Sequence, residues 1–269
     1  MAMASKEIKY GLKTYKISYE ILNQSHENTI LFLHGWGANK EIMKKAFGEH
    51  FNSYKHIYVD MPGFGASDIF TPLNTSDYAK ILKRFIQTLP KEPEIIVGHS
   101  FGGKVATLLG PKNIVLLSSA GILVKKRLLV RLKIAIFKFF KLFGFGKFYK
   151  VFATKDVSGM SRTMYETLKN VVNEDFSSKF SHLRSKAFIF WGQNDKATPL
   201  KSGEKMHELV KDSKFYPLNG DHFFFLLHAK FISDSVLSEL NETKSQNLAP
   251  NSDDLDEISG IEMVGAQDE

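Results

Sequence analysis

An α/β fold with a mostly parallel central sheet flanked by helices is predicted by three observations. Short β-rich runs alternate with helical patterns along most of the 269 residues. The runs in the middle of the chain are continuously apolar, as strands buried on both faces must be. One of them enters a glycine-rich turn, Gly98-His-Ser-Phe-Gly102, and a helical pattern leaves it at once.

Residues 6–22 alternate apolar and polar side chains and read as an antiparallel hairpin around Gly11. Runs at 29–33, 56–59, 94–97, 113–117 and 186–191 suit buried strands, and 213–218 is a last, more polar strand. Between them, 40–49, 75–89, 101–110, 199–211 and 222–240 carry helical periodicity. Two segments break the rhythm. Residues 122–182 form a helix-rich insertion too long for a simple crossover, and 241–269 hold Pro250 and clustered acids, the composition of a disordered tail. The expected organisation is a core of 1–121 and 183–240, an inserted unit of 122–182 and an acidic tail of 241–269.

Composition removes several chemistries. With no cysteine there is no disulfide, thiolate metal site or cysteine nucleophile. Neither H-E-x-x-H nor H-x-x-E-H occurs, so no metal is expected. Gly63 and Gly65 lack the remaining spacing of a phosphate-binding loop, so no cofactor is expected. The start, MAMASKEIKYG, lacks the pattern of a secretory signal, and no stretch approaches eighteen consecutive apolar residues. The expected location is cytoplasmic. The net charge of +7 hides an asymmetry: residues 241–269 carry eight acids against Lys244, which leaves +14 on residues 1–240. The basic residues between 122 and 150 are interleaved with aliphatic residues and Phe, so nucleic acid is not the expected partner.

The chemistry centres on Ser100. In G-x-S-x-G between a strand and a helix, Gly98 and Gly102 let the chain turn so tightly that the serine hydroxyl is pushed into the open. The backbone N–H of Phe101 then faces a developing oxyanion. A serine hydroxyl is a weak nucleophile without a base, and that base needs an orienting acid. Asp195 ends the apolar run Trp191-Gly-Gln-Asn-Asp195, and His222 follows the last strand in Gly220-Asp-His222. The C-terminal ends of parallel strands share one rim, so Ser100, Asp195 and His222 can converge there. Asp221 is the competing acid, but adjacent side chains on an extended loop point apart. The second oxyanion donor is expected on the loop His34-Gly35-Trp36-Gly37, from the N–H of Trp36. His34 and His99 are expected to brace these loops. His26, His50, His56, His182 and His207 read as surface residues, and His228 as a helix residue without catalytic placement.

On HGWG (34–37), DMPGFGASD (60–68), GHSFGG (98–103), WGQND (191–195) and GDH (220–222), the chain resembles the α/β-hydrolase superfamily over nearly all of residues 6–240. The resemblance implies an α/β-hydrolase fold with a helical cap inserted after the sixth strand. It implies Ser100 as nucleophile, His222 as base, Asp195 as its orienter, and a turn near the site at Gly63 and Gly65. HGWG with GHSFGG is most similar to small carboxylesterases such as the pimeloyl-ester esterase, then to C–C hydrolases of meta-cleavage products and monoacylglycerol lipases. The C–C hydrolases have a longer glycine–proline oxyanion loop and a Trp after the histidine, where this chain has HGWGAN and Phe223. A small-molecule carboxylic ester, lipid or acyl, is therefore the expected substrate. The alternatives are 2-hydroxy-6-oxo-dienoate C–C cleavage on the same triad, or an acyl-ligand or membrane-surface binding protein without catalysis.

The insertion occupies the place of that cap. Residues 122–150 hold nine Lys/Arg and no acid, and on a helix Arg127, Arg131, Lys138 and Lys141 share a stripe with apolar residues around most of the rest. Such a helix suits an acyl chain below and an anionic membrane surface above. Phe143-Gly-Phe-Gly-Lys147 is expected to end or hinge it.

Overall fold

The structure, a computed structural model, describes residues 4–123 and 160–248. Eight strands form one sheet: β1 (Ala4–Tyr10), β2 (Lys13–Leu22), β3 (Thr29–Leu33), β4 (Lys55–Val59), β5 (Ile95–His99), β6 (Asn113–Leu117), β7 (Lys186–Gly192) and β8 (Ser213–Leu218). Their order is β1-β2-β4-β3-β5-β6-β7-β8. The β1–β2 hairpin turns at Gly11, whose φ of +59° is open to glycine at little cost. β2 pairs antiparallel with β4, and every pair from β4 to β8 is parallel.

The central strands are apolar throughout because both faces are covered. Ile30, Phe32, Val97, Val115, Phe188 and Phe190 meet helices α1 (Lys40–Phe47) and α7 (Phe225–Leu248). Leu31, Leu33, Ile96, Ile114, Leu116 and Ile189 face α2 (Thr75–Ile86), α3 (Phe101–Leu109), α4 (Arg162–Val171), α5 (Ser177–Ser181) and α6 (Leu200–Leu209). On α7, Phe225, Ala229, Ile232, Val236 and Leu240 recur at helical spacing and are all buried. Among the described residues no helix is long and apolar enough to cross a membrane.

Three expectations are corrected. The last helix begins at Phe225 rather than 222, because Asp221–Phe224 make a separate turn: the amide of Phe224 donates to the Asp221 carbonyl at 3.1 Å and that of Phe223 to Asp221 Oδ1 at 2.8 Å. The same helix runs on to Leu248, so 241–248 are helical and not tail. Lys186, at the start of β7, holds this extension by donating to Thr243 Oγ1 at 2.7 Å. Lastly, His56 is fully buried. Its Nε2–H donates to the Phe51 carbonyl at 3.1 Å and its Nδ1 accepts from Tyr58 Oη at 2.9 Å, which satisfies the ring under two covered sheet faces.

Of the insertion, α4 and α5 lie on the core through Met164, Val171, Phe176 and Phe180. Lys104 of α3 is buried and donates to Glu174 Oε2 and to the Val171 carbonyl, each at 2.6 Å, while Glu174 also accepts from Thr75 Oγ1. The basic stripe, the glycine hinge at 143–147 and the rest of the acidic tail lie outside the described residues.

Candidate active site

Ser100 stands between β5 and α3 with φ +50° and ψ −111°, a backbone conformation that a non-glycine residue occupies at a cost of about 1–3 kcal/mol. Its neighbours hold it there. The amide of Ser100 donates to the Leu117 carbonyl, and its carbonyl accepts from Ala120, both at 3.0 Å, so the end of β6 clamps the turn. Gly102 permits the fold of this turn: a Cβ there would lie 2.5 Å from the Leu33 carbonyl oxygen and 2.6 Å from that of His34. Phe101 opens α3, where the first backbone N–H groups have no partner within the helix.

The loop after β3 runs directly past this turn. A Cβ on Gly35 would lie 2.8 Å from His99 Nδ1 and 3.3 Å from Ser100 Cβ, so the Gly35–Trp36 backbone passes where a side chain cannot fit. His34 fixes the loop: its Nδ1–H donates to the Gly35 carbonyl at 2.8 Å, and its Nε2 accepts from the Met61 amide at 3.1 Å. Burial pushes this imidazole down to about 4, so it stays neutral in the role its two partners require. The Trp36 ring meets Phe64 edge-on at 5.0 Å and Phe101 at 5.6 Å. Phe64 belongs to the Asp60–Asp68 loop, which turns through Gly63 and Gly65, both at positive φ, beside the site as expected. That loop hangs on Asp60, whose buried carboxylate accepts from Lys40 Nζ at 2.7 Å and from the amides of Lys40 and Ala66.

Asp195 and His222 meet across the ends of β7 and β8. His222 Nδ1 lies 2.7 Å from Asp195 Oδ2, with the carboxylate fully buried and the imidazole 18% exposed. Burial pushes the Asp195 carboxyl up, but the bonds from His222 and Thr198 outweigh it and bring it down to about 2. Its other oxygen accepts from the amides of Ala197 and Thr198 at 2.8 and 2.9 Å. Asp221 instead accepts from its own loop, so the adjacent acid is turned away from the imidazole.

His99 joins the two halves of the site. Its Nε2–H donates to the His222 carbonyl at 3.0 Å, one residue before Ser100, and the two rings are 4.7 Å apart. Burial, with His222 beside it, pushes His99 down to about 3. Its Nδ1 is buried against Gly35 with no hydrogen-bond partner among the described residues.

The structure thus gathers Ser100, Phe101, Gly35, Trp36, His34, His99, Asp195 and His222 on one rim. Sequence reasoning missed Thr198 and Ser118. Thr198 Oγ1 donates to Asp195 Oδ2 at 2.8 Å, and Ser118 Oγ accepts from the Gly192 amide at 3.3 Å. A hydroxyl residue three positions after a loop acid is the available signal for Thr198. Ser118 left none, because its contacts are all long-range.

The comparisons agree with this architecture. The family model for the alpha/beta hydrolase fold matches residues 28–129. The AB hydrolase superfamily protein YisY of Bacillus subtilis (strain 168) is 26% identical over 234 residues, covering 74% of this chain and 87% of that protein. The pimeloyl-[acyl-carrier protein] methyl ester esterase of Proteus mirabilis (strain HI4320) is 31% identical over 98 residues, 36% of each chain. A solved esterase from Exiguobacterium antarcticum superposes with a TM-score of 0.69 at 21% identity, covering 88% of this chain and 100% of that one. With its sheet order, its glycine-flanked serine turn and these matches, the chain has the α/β-hydrolase fold and is similar to proteins of that superfamily.

Proposed function

We propose that the chain is a serine hydrolase that cleaves carboxylic esters through Ser100, His222 and Asp195. The observation that carries this reading is the 2.7 Å contact between His222 Nδ1 and Asp195 Oδ2, on the rim where Ser100 stands in a strained turn. An imidazole held this way has one tautomer, with Nε2 free to accept a proton.

In this mechanism Ser100 Oγ attacks the ester carbonyl carbon as His222 Nε2 takes its proton, and Asp195 stabilises the resulting imidazolium. The N–H groups of Trp36 and Phe101 hold the oxyanion, a contribution on the order of 3 kcal/mol each. Collapse of the tetrahedral intermediate breaks the ester C–O bond, and His222 returns the proton to the leaving alcohol. Water then attacks the acyl-enzyme with His222 again as base, releasing the acid and restoring Ser100. The edge-to-face rings of Trp36, Phe64 and Phe101 form an apolar wall suited to an acyl chain. The methyl ester cleaved by the pimeloyl relative supports an ester as the scissile bond.

The test is hydrolysis of p-nitrophenyl esters from two to sixteen acyl carbons, with Ser100→Ala in parallel. Turnover that disappears in Ser100→Ala and shows a chain-length optimum is the expected result. Ester turnover that survives in Ser100→Ala, or none in the wild type, overturns the reading.

A further inference from the structure

Thr198 Oγ1 sits at a junction of three groups. Asp195 Oδ2 is 2.8 Å away, the Ser118 carbonyl oxygen 3.1 Å, and His222 Nδ1 3.4 Å. The backbone on both sides is pinned: the Thr198 amide donates to Asp195 Oδ1 at 2.9 Å, and its carbonyl accepts from Trp191 Nε1 at 2.7 Å. Pro199 follows as the N-cap of α6, so this residue has little freedom to move.

We propose that Thr198 is a positioning residue for the Asp195–His222 pair, its hydroxyl fixing how the carboxylate meets the imidazole; this rests on the triad reading above. The hydroxyl has one proton and two acceptors, Asp195 Oδ2 and the Ser118 carbonyl. Donated to Oδ2, it draws off part of the negative charge that would otherwise act on the His222 Nδ1–H. Turned to Ser118, it leaves Oδ2 to the imidazolium alone. The hydroxyl therefore follows the protonation state of His222 by rotating, with no heavy atom displaced. Ser118 follows β6, whose last residue, Leu117, accepts from the Ser100 amide, so the same strand end serves both nucleophile and acid. Among the described residues, the other titratable groups at His222 are His99, from the end of β5, and Asp221 on its own loop, which is turned to the Phe223 amide.

Removing the hydroxyl leaves Asp195 with one donor fewer. More of its charge then acts on His222, which favours the imidazolium and moves the acidic limb of reactivity to higher pH. The readout is the rate of Ser100 labelling by a fluorophosphonate probe as a function of pH, with the labelled residue identified by mass spectrometry and Ser100→Ala as control. In Thr198→Val the limb is expected to move up by about half to one pH unit, and the plateau rate to fall about tenfold. Thr198→Ser, which keeps the hydroxyl, should restore the wild-type limb. Thr198→Ala gives the same reading should the branched Val prevent folding. A limb that stays put or moves down in Val and Ala, or a Ser variant that behaves like them, overturns the proposal, even with a lowered plateau. A wild type that does not label at Ser100 overturns the triad reading itself, and this proposal falls with it.

Discussion

The imidazole of His99 donates its Nε2–H to the main-chain carbonyl of His222, 3.0 Å away, while its opposite edge lies against Gly35. One buried ring thereby spaces three loops, those after β3, β5 and β8, which share no local sequence. Phe in its place keeps the volume but removes the donor. His99→Phe is expected to fold, and to lower Ser100-dependent ester turnover about tenfold because the His222 loop loses its tether. His99→Gln, which retains an N–H donor, should recover part of the loss. Equal activity in both variants and the wild type would remove the tether from the mechanism.

Acid should destabilise this protein earlier than its carboxylates alone require. His34 and His99 are fully buried and neutral, held at about 4 and about 3, and His56 is lowered by burial as well. The unfolded chain binds these protons from about pH 6.5 downward while the folded chain does not. Stability is therefore complete above that pH and falls as pH drops toward the folded values. Between pH 7 and pH 5 the loss is on the order of 2 kcal/mol for each of His34 and His99. Urea unfolding at the two pH values checks it, and His99→Phe should reduce the difference. A midpoint that does not shift between pH 7 and pH 5 would contradict the assignment of buried neutral rings.

The two acids flanking the imidazole make a direct comparison. Asp195 is buried and bonded to His222 Nδ1, whereas Asp221 is exposed and accepts from the Phe223 amide. Asp195→Asn is expected to cost roughly 10³–10⁴-fold in kcat, since an amide can hold the wrong tautomer. Asp221→Asn should stay within a few-fold of the wild type, as Asn still accepts from the same amide. Equal losses would mean that Asp195 is not the orienting acid.

Lys104 and Glu174 fasten the returning end of the insertion to the helix behind Ser100. Lys104 lies 4.6 Å from the Phe176 ring, and its burial lowers its pKa against the pull of Glu174. Glu174→Gln removes the carboxylate charge that balances this cation, leaving it the Val171 carbonyl, the Phe176 ring and a neutral amide oxygen, and should destabilise by about 2 kcal/mol; part of the usual penalty is relieved because Glu174 is partly exposed. Replacing the pair together, Lys104→Met with Glu174→Gln, should recover most of that loss. Thermal melts of the single and double variants decide it, and equal Tm values throughout would show the pair to be indifferent.

Local sequence made much of this protein legible. Continuous apolar runs marked the strands, because a strand covered on both faces has no position for a polar residue. Gly98-His-Ser-Phe-Gly102 marked the turn at Ser100, because only glycine lets the chain approach Leu33 and His34 so closely. Asp195 and His222 were legible as residues at strand ends, since parallel strands present those ends on one rim.

Other features depended on contacts between distant segments. His56 read as a surface residue and is buried, because Phe51 and Tyr58 supply its partners and the helices cover its strand. The last helix passes residue 240, since Lys186, 57 positions upstream, anchors Thr243. Thr198 became a partner of the Asp195–His222 pair only when β6, β7 and β8 brought Ser118, Asp195 and His222 around its hydroxyl. Periodicity and turn chemistry act over a few residues and are written in local sequence. The direction of a hydrogen bond and the burial of a ring depend on what the rest of the chain places beside them, and tertiary packing alone decides that.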